Sequence, residues 1–65
     1  MTWEKVGEEW HSIEGETVSI IQRIPWGDAY VLSMENMTLN INHKRIHPTV
    51  KAAKVNAEKE LQSWQ

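Results

Sequence analysis

In Leu39-Asn40-Ile41-Asn42-His43-Lys44-Arg45-Ile46-His47-Pro48-Thr49-Val50-Lys51-Ala52-Ala53-Lys54-Val55-Asn56-Ala57 the hydrophobic period changes at Pro48, from that of a strand to that of a helix. Upstream, apolar residues alternate as in strands. Downstream, Val50, Ala53, Ala57, Leu61 and Trp64 recur at helical spacing. Proline stops a strand and suits the first turn of a helix, where its missing N–H costs nothing. Thr49 is a credible N-cap, although no Glu or Gln follows three residues later to complete a capping box. A helix is therefore expected from about Val50 to Ser63, with an Ala-rich stripe that lets it lie close to a sheet.

Working back from that helix, Met37–Asn42 reads as a strand with Met37, Leu39 and Ile41 inward, and residues 43–48 read as a connection. Ala29–Met34 reads as a strand with Tyr30, Leu32 and Met34 on one side, joined to the next by Glu35-Asn36. Pro25-Trp26-Gly27-Asp28 is a strong turn signal. Thr17–Ile24 is rich in β-branched residues, and Val18, Ile20 and Ile24 are assigned to its inner face. Glu14-Gly15-Glu16 supplies a turn after a strand around Glu9–Ile13. Trp3, Val6 and Trp10 fit one or two helical turns, but Gly7 weakens that, and a strand-like lead-in fits equally. The expected fold class is α+β: a three- to four-stranded antiparallel meander packed on one C-terminal helix, with residues 1–65 as a single domain. The expected core is Ile20, Leu32, Leu39, Ala57 and Leu61.

Size and composition narrow the function. A 65-residue chain without cysteine has no disulfides and no thiolate metal site. It buries only roughly 60% of its unfolded surface, so a few large side chains must carry the core. Four Trp and one Tyr, with no Phe, suit that need. No apolar run approaches a membrane span, and the first residues are acidic and polar, the reverse of an export signal. A cytoplasmic location without membrane association is expected. Asn36-Met37-Thr38 matches a glycosylation acceptor pattern that has no meaning in that compartment.

Nothing in the chain spells a reaction. There is no glycine-rich phosphate loop, no nucleophile elbow and no Ser/His/Asp set at a recognisable spacing. His43 and His47 are four apart but precede Pro48 in an expected loop, and no third ligand is near in sequence. A chain this short is expected to lack room for a deep pocket of several hundred Å³. No catalytic residue, metal site or cofactor is expected.

A binding role is the better reading. One helix covers one sheet face, and the expected open face carries Thr17, Ser19, Ile21, Arg23, Ala29, Val31, Ser33, Thr38, Asn40 and Asn42, a set that is nearly uncharged. Charge is what ordinarily protects such a surface from association. Ile21, Arg23, Val31 and Asn40 on that face, with Trp26 at the hairpin tip, are the candidate protein-binding residues. Trp26 either folds back on the sheet edge or stands exposed as an anchor. Trp3 and Val6 either cover the open face, leaving a monomer, or leave it free for a homodimer. The formal net charge of −2 hides a dipole: Glu4, Glu8, Glu9, Glu14 and Glu16 near the start, against Lys44, Arg45, Lys51 and Lys54 later. Those four bases, two of them in the first turns of the helix, are candidate contacts to an anion or nucleic acid. Pairing of Lys54 with Glu58 at i,i+4 is the competing reading for one of them.

Thr49-Val50-Lys51-Ala52-Ala53-Lys54-Val55-Asn56-Ala57-Glu58, after a meander punctuated by Trp, Gly and Tyr, resembles the ending of many small phage- and prophage-encoded proteins. In that group a small sheet is followed by a helix with a Thr-Val-x-x-Ala-Lys-x-x-Ala-Glu pattern. The resemblance implies a modulator that binds a host enzyme or acts on phage DNA. The topology is also similar to the arm-binding domain of phage integrases, in which three strands enter the DNA major groove. By that resemblance Arg23, Asn40 and Asn42 would face DNA. The chain departs from the pattern in having Arg23 as the only base on the expected face, whereas phosphate contacts supply most non-specific affinity. The leading expectation is a phage-derived, non-enzymatic binding protein that docks and modulates a host protein through the open sheet face. The alternative is a DNA-binding or DNA-associated accessory protein using residues 44–54.

Overall fold

The computed structural model describes residues 1–64. Five strands, β1 (Glu4–Val6), β2 (Glu9–Glu14), β3 (Thr17–Arg23), β4 (Tyr30–Asn36) and β5 (Ile41–His47), precede one helix, α1 (Val50–Ser63). The strands form one antiparallel sheet in the order β1-β2-β3-β4-β5, each paired with its neighbour in sequence. The α+β class stands, with five strands instead of three or four.

Turn chemistry accounts for the meander. Val6 and Glu9, and again Glu14 and Thr17, close two-residue loops whose first residue is glycine at positive φ, Gly7 at 62° and Gly15 at 59°. Glycine at the first central position is the pattern of the type II′ turn, whose twist matches that of the strands it joins. The loop holding Pro25-Trp26-Gly27-Asp28 is closed by the Ile24 N–H donating to the Ala29 carbonyl at 3.0 Å. The β4–β5 connection differs from the expected Glu35-Asn36 pair. It is Met37–Asn40, and Asn40 takes the left-handed conformation at φ 54°. The Asn36 side chain holds this turn from both sides. Its Oδ1 accepts from the Leu39 N–H at 2.8 Å, and its Nδ2 donates to Thr17 Oγ1 at 2.9 Å. Met37 and Leu39, expected inward, are accordingly exposed. The strand falls instead on Ile41–His47, most of which was expected to be a connection.

Helix α1 has the expected bounds. Thr49 is its N-cap, extended at φ −139°, with Oγ1 accepting from the Ala52 N–H at 3.0 Å. Ala53 and Ala57 are fully buried and rest on Ile21, Leu32 and Met34 of the sheet. Met1, Trp3, Trp10, Tyr30, Val50, Leu61 and Trp64 pack around that centre. Trp3 therefore belongs to the helix side, and the N-terminal segment does not cover the other face. It adds a short edge strand there, whose Val6 remains 45% exposed.

The inner face of β3 is the reverse of the sequence expectation. Thr17, Ser19 and Ile21 lie beneath the helix, while Val18 and Ile20 point away from it. The register makes this consistent across the sheet: Ile21 is opposite Leu32, Ser19 opposite Met34, and Ser12 opposite Ser19. Of the expected core, Leu32, Ala57 and Leu61 are in place, Ile20 is on the opposite face, and Leu39 is in a turn. Ile21→Ala should destabilise by about 2–5 kcal/mol, the range for a fully buried aliphatic side chain. Ile20→Ala should cost clearly less. Denaturant melts of the two variants distinguish them, and the opposite ranking would put Ile20 in the core.

Candidate functional site

The face away from the helix is built by every second residue of each strand, and cross-strand pairing arranges those residues in rows. One row reads Glu4, His11, Ile20, Ser33 and Lys44 from β1 to β5. A second reads Val6, Glu9, Gln22, Val31 and Ile46. A third, shorter row reads Ile13, Val18, Glu35 and Asn42. The surface is apolar at its centre and charged around it, with Glu4 and Glu9 on β1 and β2, Glu35 at one end of β4 and Lys44 on β5. It is thus not the uncharged surface expected from the sequence. Ile13 is 74% exposed, Ile46 58%, and Val18 41%.

At one end of this face the sheet and the Trp26 hairpin enclose an open groove of about 600 Å³. Ile24, Pro25, Val31 and Ile46 contribute its apolar lining, Trp26 stands at its margin 77% exposed, and Glu8, Glu9, Arg23 and Lys44 supply charge. The groove exceeds the space expected for so short a chain, because it is an open concavity between surface elements and needs no enclosing core. Two of its charged groups, Glu9 and Arg23, are held by partners within the lining or beside it. One Glu9 oxygen is 2.8 Å from His11 Nε2 and the other accepts from Gln22 Nε2. Those bonds, from Gln22 first and His11 second, hold the Glu9 carboxyl below its ordinary range. Arg23 donates to Asp28 across the hairpin at 2.7 Å.

Trp26, Val31 and Arg23 all line the groove. Arg23, expected on the open face, lies instead in the helix-side row with Tyr30 and His47, because it shares the strand alternate of Ile21, and it reaches the groove only at the end of β3. Ile21 does not reach the groove: it is fully buried under α1. Asn40 is in the β4–β5 turn, away from the sheet face. Ile20, Gln22 and Ile46 belong to the open face and were missed. The signal for Ile46 was its alternation with Lys44 and Asn42, hidden by reading residues 43–48 as a loop.

The four bases are divided. Lys44 is on the open face, and Arg45, its neighbour on β5, is on the opposite face, in the row of Leu32. Lys51 is exposed on α1. Lys54 Nζ stands 3.8 Å from the Trp10 ring centroid, and Lys5 Nζ is 5.1 Å from the same ring. Glu58, the alternative partner for Lys54, is instead 3.5 Å from the Met1 amino group.

His43 and His47 share the helix-facing side of β5, as residues four apart on a strand must. His43 Nδ1 is 3.8 Å from Glu60 on α1. Among the described residues no group of three or more His, Asp and Glu side chains is placed to hold a metal ion. No helix among them is long and apolar enough to cross a membrane. The Nε2 atoms of both histidines, and the hydroxyls of Ser12 and Ser19, are buried with no hydrogen-bond partner among the described residues. Burial first, then the positive fields of His43 and Arg45, hold the His47 imidazole below its ordinary value. No family model, curated protein or solved structure matches the chain at a significant level.

A lowered histidine value has a defined sign. The unfolded chain takes up the proton more readily, so His47 has no effect well above pH 6.5 and destabilises the fold as pH falls below it. Glu9 adds stability that is present above pH 4.5 and is lost on further acidification. The denaturation midpoint should therefore begin to fall below pH 6.5, and His47→Gln should flatten that first part of the decline. An unchanged profile in His47→Gln would contradict the assignment.

Proposed function

We propose that the chain is a non-enzymatic binding module whose working surface is the open sheet face and the Trp26 groove. The observation that carries this reading is the uncovered cluster of Val18, Ile20, Val31 and Ile46 on a face that the helix does not reach and that the N-terminal segment extends without covering. Contiguous apolar surface rimmed by charge is characteristic of interaction sites. Trp26 adds an exposed aromatic of the kind enriched among interface anchors. The pairing of Glu9 with His11 and Gln22, and of Arg23 with Asp28, favours a fixed docking surface over a reactive centre, since these groups are turned toward each other. A protein partner is favoured over DNA because the bases are split between the two faces and acids occupy the margin of the open one. The resemblance of the C-terminal segment to phage-encoded proteins supports a host protein as the partner that is modulated.

The test is partner capture with four forms of the chain. Ile46→Glu should remove the captured host protein while the circular dichroism spectrum is retained, and Trp26→Ala should weaken capture by about 2 kcal/mol, the scale of an anchor residue. Neutralising Lys44, Arg45, Lys51 and Lys54 together should matter less. Tight, salt-sensitive binding to duplex DNA that vanishes with those four bases, and is indifferent to Ile46→Glu, would support the nucleic-acid reading instead.

A further inference from the structure

Resting on the reading of the open face as the docking surface, we infer that a second copy of this chain occupies it, packed sheet on sheet about a two-fold axis parallel to the strands. The charge pattern of the face selects this occupant and this axis. A two-fold axis parallel to the strands and passing over β3 places β1 of one copy against β5 of the other, and β3 against β3. In the first row Glu4 then meets Lys44 of the second copy, twice by symmetry, and Ile20 meets Ile20. In the second row Val6 meets Ile46 and Gln22 meets Gln22, and in the third Val18 meets Val18 while Ile13 meets Glu35. Glu9, which this arrangement brings over Val31, is already drawn sideways to His11 and Gln22.

The other two-fold arrangement, with the axis across the strands, puts each strand on its own copy. With that axis over the first row, Lys44 would face Lys44 and Glu4 would face Glu4. Like charges set against each other in an interface cost several kcal/mol. With an acid on β1 and a base on β5 in the same row, the face is self-complementary in the first arrangement, as an isologous contact requires. Aligned sheets pack within roughly 30° of each other, which keeps β1 nearest β5 of the partner copy.

Size agrees. Five strands of three to seven residues, spaced about 4.8 Å apart and rising about 3.4 Å per residue, give a footprint of roughly 500 Å² on each copy. The total, roughly 1,000 Å², is at the threshold for a specific interface, before the Trp26 side chain is added. A domain of this length buries too little of its own surface to be comfortably stable, so the second sheet also supplies core that one copy lacks. A foreign protein that uses the same face must then compete with the second copy.

Sedimentation of the full chain from micromolar to millimolar concentration should show a monomer–dimer equilibrium. Ile46→Glu and Ile20→Glu should be folded and monomeric. Glu4→Lys and Lys44→Glu, each alone, should dimerise about tenfold more weakly, because each creates two like-charge contacts per dimer. An equal mixture of these two variants should dimerise at least as well as the parent, since the mixed dimer contains two Lys–Glu contacts and no like pair. A mixture no tighter than its components would overturn the axis. A chain that is monomeric throughout would overturn the second copy as occupant; if Ile46→Glu still abolished capture of a host protein, the docking face itself would stand. Dimers indifferent to both Ile46→Glu and Ile20→Glu would overturn the inference and remove its support from the face.

Discussion

The close approach of α1 to the sheet at Ala53 and Ala57 is the constraint on which the rest of the structure depends. Both side chains are fully buried, and neither is larger than a methyl group. The helix backbone can therefore sit low over β3 and β4, where Ile21, Leu32 and Met34 fill the space beneath it. A sheet side chain has two choices, under the helix or away from it, and the period of two propagates one choice along a whole strand. Once Ile21 and Leu32 are beneath Ala53 and Ala57, Ser12, Thr17 and Ser19 are buried with them, and Val18, Ile20 and Val31 are sent to the other side.

That partition gives the two faces different chemistry. The helix side is closed by large rings, with Trp3, Trp10 and Trp64 around the small alanines and Lys54 laid over Trp10. It tolerates buried hydroxyls and imidazole nitrogens that have no partner among the described residues, a local cost borne by a small core. The open side has no lid, and its apolar residues are framed by acids on β1 and β2 and a base on β5. The charge dipole visible along the sequence thus becomes a dipole across one face. Consecutive strands are neighbours, so distance along the chain becomes distance across the sheet.

Much of this was legible in the sequence, for local reasons. The period change at Pro48 located α1 and its Thr49 cap, and the Gly15 and Pro25–Asp28 signals located two of the turns, because these features are set by residues within one turn of each other. The inner face of β4 was readable because Tyr30, Leu32 and Met34 alternate with smaller or more polar residues. β3 was not, because both of its faces contain β-branched residues. Val18 and Ile20 outweigh Thr17 and Ser19 on a hydrophobicity scale, yet small hydroxyl residues are what fits under a closely packed helix. β5 was displaced because Met37, Leu39 and Ile41 alternate as a strand would. The Asn36 side chain and the left-handed Asn40 turn that segment instead, and those contacts depend on β3 being present. β1 was ambiguous because three residues carry no period. The candidate site inherited these outcomes: Trp26 and Val31 line the groove and were placed from turn and β4 signals, while Ile21 and Arg23 were assigned to the wrong face with β3 and Asn40 was misplaced with β5.

Which isoleucine of β3 faces the helix decides what the open face is made of, and methyl–methyl nuclear Overhauser contacts report it directly. The Ile21 methyls should show strong cross-peaks to the methyls of Ala53 or Ala57, and the Ile20 methyls should show none to α1. Cross-peaks from Ile20 to Ala53 or Ala57, with Ile21 silent, would mean that β3 is turned over. The open face, the groove and the charge pattern built on them would then not exist in the form described.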